Sequence, residues 1–335
     1  MTTHPAVRRP LPTPRGPISA TVIEALGRPA GHLPIVDGDP YDEDHALALH
    51  VCYELHYRGF TGVDAEWEWE PELLRLRRGL ELGFLDALRS DVDGGDDAAS
   101  ALDGLLVEVV PGNGVSHFLR DHGKWQHMRE YFVHRSIYHL KEADPHAWVI
   151  PRLHGPAKAA LVAVEYDEFG GGHGERMHAQ LYADLLRAAG LSDDYLSYLD
   201  DVTRHTLLLV NLMSMLGLHR SLRGGLVGHF AAAEITTAPS AHRMAQALRR
   251  LDADPACVRF FTEHVEADAV HEQVMRRDVV GGLLEREPEL AADVVFGIQA
   301  TDLLEQRFAD HLLGAWKAGR SSLLPDSSLV QRGDG

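Results

Sequence analysis

The sequence predicts an all-α protein, and three observations carry that prediction. Apolar residues recur at spacings of three and four through most of the 335 residues, the pattern of helices that bury one face. Proline and glycine punctuate the boundaries: Pro145, Pro151 and Pro156, Gly170 to Gly172, Gly190, Gly224 and Gly225, Pro239, Pro255 and Pro288. Alternating β-branched runs do not occur, and LLVEVVPG at 105–112 is the one candidate strand.

Taken in order, residues 1–35, with Pro5, Pro10, Pro12, Pro14 and Pro17, read as a flexible proline-rich lead without the apolar stretch of a secretory signal. A helix is expected in DEDHALALHVCYELHYRGF, capped by Asp42 or Asp44 and ended at Gly59. A second begins at Pro71 in PELLRLRRGLELGFLDALR, with proline in the first turn. The acidic loop DVDGGDDAASALDG follows, so 36–100 reads as an N-terminal helical subdomain. Helices are then expected over about 115–142, 157–168, 174–189, 193–218, 223–235, 239–251, 255–284 and 288–317. They make 101–320 the main domain, and 321–335 reads as a frayed tail.

Composition narrows the function classes. With 45% apolar and 24% charged residues the chain is an ordinary globular one. Lys and Arg total 32 against 50 Asp and Glu, and this net charge of −18 leaves no basic footprint for nucleic acid. The most apolar stretch, TLLLVNLMSMLGL at 206–218, falls short of the roughly 20 residues that span a membrane, so it reads as a buried helix. Two cysteines, Cys52 and Cys257, make neither a disulfide framework nor a thiolate metal site, and a reducing cytoplasm is expected. Trp67, Trp69 and the apolar face of 45–60 supply material for a homodimer interface.

The chemistry lies in histidine and carboxylate. In FFTEHVEADAVHEQVM, His264, Asp268 and His271 are spaced H-x3-D-x2-H. On a helix they fall within a sector of about 60°, so two imidazoles and a carboxylate converge from one face. That is half a site for a first-row transition metal. In a chain with 21 histidines such a triplet arises by chance in about one chain in ten, so its weight depends on partners. Two other segments offer them. AVEYDEFGGGHGERMHAQLY carries Glu165, Glu168, Glu175 and His178, and GLVGHFAAAEITT carries Glu234 in an apolar run where a carboxylate needs a cation, metal or donor. Arg243 is the alternative partner of Glu234. Glu142, before Pro145, is a fourth contributor, on a segment that also holds Glu130, His134 and His139. Only Glu175-Arg-Met-His178 matches the Glu-x-x-His motif of ferritin-like di-iron bundles, so that scheme fits poorly.

The order Glu, glycine-interrupted segment with His, Glu, then H-x3-D-x2-H resembles the haem-oxygenase-like di-iron oxidases and oxygenases over roughly 115–317. CYELHYRGF resembles the N-terminal helical extension of their N-oxygenating subgroup. The resemblance implies a haem-oxygenase-like helical bundle with that extension, two irons per chain, O2 as co-substrate and no haem. It carries the metal ligands onto Glu168, His178, Glu234, His264, Asp268 and His271, with Glu142 as the further glutamate of N-oxygenating members. Glu168 is preferred to Glu175 because the family's glutamate precedes the glycine interruption. The division it implies sets Glu168, His178 and His271 on one iron and Glu142, His264 and Asp268 on the other, bridged by Glu234. The implied activity is N-oxygenation of an amine-bearing small molecule, with an external electron donor. Desaturation or oxidative C–C cleavage on the same site is the alternative, and a non-enzymatic metal-binding or interaction protein is the alternative of another class. Arg152, Arg176, Arg204 and Arg220 are candidates to hold a substrate carboxylate.

Overall fold

The computed structural model describes residues 8–34, 36–107, 110–327 and 329, and for 266–270 the backbone alone. Among the described residues the chain is helical throughout and contains no strand. The elements are α1 (Pro17–Leu26), α2 (Glu43–Glu54), α3 (Pro71–Asp91), α4 (Ala98–Leu105), α5 (Val115–Asp121), α6 (Trp125–His139), α7 (Asp144–Ala147), α8 (Gly155–Glu168), α9 (His178–Ala188), α10 (Arg204–Leu218), α11 (Arg223–Arg250), α12 (Pro255–Gln273), α13 (Gly282–Arg286) and α14 (Ala291–Lys317). A π-helical stretch, Val274–Gly281, joins α12 to α13. Buried apolar side chains from Ile18 to Leu323 form one continuous core.

Several expectations change at this level. The proline-rich lead contains a helix: Pro17 starts α1, which buries Ile18, Val22 and Leu26. Of the two capping candidates, Asp42 caps its own helix by accepting from the His45 amide at 2.7 Å. Asp44 instead accepts the Ile18 and Ser19 amides at 2.8 and 2.7 Å, capping α1 from α2. The expected helix 115–142 divides at His122–Lys124. The break expected at Pro239 does not occur, and α11 runs through it. Nearby, Thr236 and Thr237 donate their hydroxyls to the carbonyls of Ala232 and Ala233, both at 2.8 Å. In the candidate strand, Leu105 closes α4 and residues 108 and 109 lie outside the described residues. The expected tail is packed at its start, where Ser322, Leu323 and Ser327 are buried. Residues 330–335 lie outside the described ones.

The residues assigned to a dimer interface lie in the interior. Leu47, Leu49, Val51 and Trp67 are buried within the chain, and only Trp69 is exposed. No helix among the described residues is long and apolar enough to cross a membrane.

Helices α11 and α14 approach each other closely. A Cβ on Gly228 would strike the Val294 backbone, and one on Gly297 would strike the Gly225 backbone, so only glycine permits this approach. The contact brings His229 of α11 within reach of Thr301 of α14.

Candidate metal centre

Five segments deliver the site. Glu142 follows the end of α6, Glu168 is the last residue of α8, His178 opens α9, Glu234 lies mid-way along α11, and His264 and His271 lie on α12. The loop from α8 to α9 doubles back sharply through Gly170, Gly171 and Gly172, all at positive φ. A Cβ on Gly170 would lie 2.6 Å from the Met177 amide nitrogen, so glycine lets the chain return and set His178 beside Glu168. Glu175 lies on the outer side of that loop with an exposed side chain.

All six of Glu142, Glu168, His178, Glu234, His264 and His271 are buried. Their donor atoms form two groups, Glu142–His178–His264 and Glu168–Glu234–His271, each within 4.8 Å. The grouping differs from the expected division: His178 joins Glu142 rather than Glu168, and Glu234 belongs to one group. Glu168 stands between them, with Oε2 2.9 Å from His178 Nδ1 and Oε1 3.8 Å from His271 Nδ1. The remaining expected ligand, Asp268, has its side chain outside the described residues.

The histidines are held in specific orientations. His264 Nδ1 donates to the Phe260 carbonyl at 2.8 Å, which fixes the tautomer and turns Nε2 toward Glu142 Oε1 at 3.6 Å. His271 Nδ1 lies 2.9 Å from Glu234 Oε2, and its Nε2 lies 3.3 Å from Asp167 Oδ2. His139 Nδ1 meets Glu142 Oε1 at 2.8 Å, a second-layer contact of the kind that orients metal ligands.

The donor set fits metal ions. Among the described residues the three carboxylates pair only with histidines, although buried acids of this number need cationic compensation. His178 Nδ1 lies 2.9 Å from Glu168 yet makes no aligned hydrogen bond, and Glu142 Oε2 has no partner. Close donor atoms without hydrogen-bond geometry are what a shared cation requires. Arg243 Nε donates to Ser116 Oγ at 2.9 Å, and Glu234 pairs with His271.

The electrostatics carry the same strain. Burial, with Glu168 nearby, pushes the Glu234 carboxyl up to about 7. Burial beside Glu168 and Glu234 pushes Glu165 up to about 9, and neither of its oxygens finds a hydrogen bond among the described residues. His271 rises to about 9, because Glu234 and Glu168 outweigh the burial that opposes its charge.

A cavity of about 450 Å³ opens onto both donor groups, lined in part by Glu142, Glu168, Glu234, His264, Phe230 and His229. His229 was not singled out in the sequence, where it is one histidine in an apolar helix. Its protonation state follows from hydrogen-bond accounting. Thr301 Oγ1 donates its only proton to the Gly297 carbonyl at 2.7 Å, so it accepts from His229 Nδ1, also at 2.7 Å. Burial holds the ring neutral by lowering its pKa to about 4. His229 Nε2 is therefore a bare acceptor in the cavity wall, without a partner among the described residues. The arginines expected to hold substrate do not line this cavity; Arg135 and Arg243 do. Arg152, for example, donates to the carbonyls of Gly217 and Leu218.

A helical bundle that buries two carboxylate–histidine groups beside one cavity is a scaffold that could hold metal. The chain belongs to the family of iron-containing redox enzymes, whose profile matches residues 129–306, and its all-α fold is the haem-oxygenase-like one. It is similar to nitrosourea synthase of Streptomyces achromogenes subsp. streptozoticus, with 27% identity over 236 residues. That alignment covers 67% of this chain and 50% of the relative, so the chain spans about half the length of the protein it matches.

Proposed function

We propose that the protein is a non-haem di-iron, O2-dependent oxygenase that oxidises a nitrogen of an amine-bearing small molecule. The observation that carries this reading is the pair of three-donor groups with Glu168 between them, facing one cavity. Glu142, His178 and His264 would hold one iron and Glu168, Glu234 and His271 the other. Asp268 would complete the set. Bound iron supplies redox equivalents and open coordination positions for O2.

The chain's own residues do the rest. His139 and Asp167 orient ligands from outside the first layer. Phe230, Phe260 and Phe261 make one side of the cavity apolar and restrict water. His229 Nε2 accepts a hydrogen bond from a substrate N–H and so favours a donor-bearing group over an aliphatic one. The name of the relative supports nitrogen as the oxidised atom, since a nitrosourea carries a nitroso group.

The test is anaerobic Fe(II) loading followed by O2 exposure against a panel of amines and amino acids, with mass detection of products. Two irons per chain and one oxygen added at nitrogen are expected. A product that has lost two hydrogens without gaining oxygen, or a cleaved C–C bond, would replace this reading with desaturation or lyase chemistry. Absence of iron uptake would end it.

A further inference from the structure

Glu142 leaves the bundle at an awkward place. It lies past the end of α6, and the next residue, Ala143, has φ 73°, a left-handed conformation that costs a non-glycine residue roughly 1 kcal/mol or more. A ligand at such a turn keeps its position only if the chain before it is held. Two residues before it are held, both from α2 and its following turn. Lys141 Nζ donates to Glu54 Oε2 at 3.0 Å, and both side chains are essentially fully buried. Tyr195 donates to the same oxygen at 2.8 Å, and Lys141 Nζ sits 3.9 Å above the Tyr57 ring. Arg58 donates to the Leu140 carbonyl at 2.9 Å. The family profile begins at residue 129, so Glu54, Tyr57 and Arg58 lie outside it.

We infer that Glu54 is a positioning residue for the ligand Glu142, acting through Lys141, so that the N-terminal helices set the metal affinity of the Glu142–His178–His264 group. The inference rests on the metal-binding part of the function proposed above. Its physical basis is a buried ion pair, which is poor value for stability compared with apolar packing but strongly directional. Here the direction fixes the backbone one residue from a ligand. The ion pair occurs where position matters more than stability.

The test is anaerobic equilibrium dialysis with Fe(II) on the full chain, with folding followed by circular dichroism. Wild type is expected to bind two irons. Glu54→Gln is expected to weaken one of the two sites by about 10–100-fold, the range for outer partners of metal ligands, and to leave the other unchanged. Lys141→Arg in otherwise wild-type protein, which keeps a charge pair with Glu54, is expected to retain most of the affinity that Glu54→Gln loses. Glu130→Gln, an equally buried change far from Glu142's turn, is the control and keeps both sites. If Glu54→Gln does not fold, Arg58→Met keeps the Lys141–Glu54 pair but releases the Leu140 carbonyl and the guanidinium over the Tyr195 ring, and the same site should weaken by a smaller factor. Two irons bound with unaltered affinities in folded Glu54→Gln or Arg58→Met overturn the inference. Equal weakening of both sites, or of both sites in Glu130→Gln as well, also overturns it, because the effect is then general loosening. Fewer than two irons in wild type would instead overturn the di-iron reading itself.

Discussion

Two buried polar clusters in this bundle use the same residue types and come out differently. Around Glu130, every donor is answered: Oε2 accepts from Trp316 Nε1 and the Ser322 amide at 2.8 Å each and from Ser322 Oγ at 2.7 Å. His134 next to it bonds Thr206 through Nδ1 at 2.8 Å and Ser322 through Nε2 at 3.2 Å. Around Glu168, acids crowd acids, the 2.9 Å contact from His178 Nδ1 lacks hydrogen-bond alignment and Glu142 Oε2 has no partner among the described residues. A closed network rigidifies a core, and an open one stores a demand for something that is not protein. The difference separates a structural glutamate–histidine set from one that could hold metal, where composition alone does not.

Substitutions at the two clusters should therefore differ in kind. The largest effect is expected at the open one. His271→Ala or Glu168→Ala should cost more metal affinity than the roughly 10–100-fold of an outer partner, and oxygen uptake should vanish with it. Metal analysis beside an O2 electrode checks this; a variant that retains full iron and turnover breaks the comparison.

Stability should move in opposite directions. Glu130→Gln is expected to destabilise by about 1–3 kcal/mol, since it weakens charge-assisted bonds to buried donors, and to leave metal content intact. Glu165→Gln in metal-free protein at pH 9 should raise the melting temperature, because it removes a buried acid that Glu168 and Glu234 oppose and that has no hydrogen-bond partner among the described residues. Thermal denaturation of both variants in chelator reads the two signs directly.

The pH dependence sharpens the contrast further. His134 and His205 are held down to about 3, chiefly by burial, so the folded state binds fewer protons than the unfolded one below about 6.5. Their contribution is present above that value and is lost as pH falls toward 3. At the open cluster the sign reverses. His271 is raised to about 9, so its stabilisation is complete below about 6.5 and fades as pH rises through 9. Glu234 and Glu165, raised to about 7 and about 9, add a penalty that builds from about 4.5, where only the unfolded chain ionises, and levels off at those values. Metal-free protein should thus melt lower at pH 9 than at pH 6, whereas metal should stabilise more at pH 9, because binding displaces those protons. A metal-induced shift that shrinks as pH rises would contradict the assignment.

The smallest effect is expected at His229. His229→Phe keeps an aromatic ring in the cavity wall and removes the acceptor, so KM for a productive amine should rise about 5–30-fold, worth about 1–2 kcal/mol, with iron content unchanged. An unaltered KM would mean that the substrate does not reach the ring.

Much of this was legible before any coordinates. The H-x3-D-x2-H spacing puts His264 and His271 on one face of α12 because the helical repeat allows nothing else. An acid in an apolar run, such as Glu234, had to meet a partner, and the glycines after Glu168 marked the turn that returns His178. What was not legible depended on neighbours distant in sequence. Pro17 could start a helix only because Asp44, far along the chain, caps it. The apolar face of 45–60 could serve a dimer or the interior equally well, and packing against the main bundle decided for the interior. His229 carried no local signal, since its bare nitrogen is defined by Thr301 and Gly297 on another helix.

The sequence by itself determined the helices, the inward-facing acids and imidazoles, and thereby the kind of ligand they await, because periodicity and the cost of burying charge are local matters. Only the tertiary structure decided which donor stands beside which, that Glu168 lies between the two groups, and that α2 grips the residue next to Glu142. Those relations are distances between separate helices, and a distance between helices is fixed by side chains packing against one another, which no single stretch of chain contains.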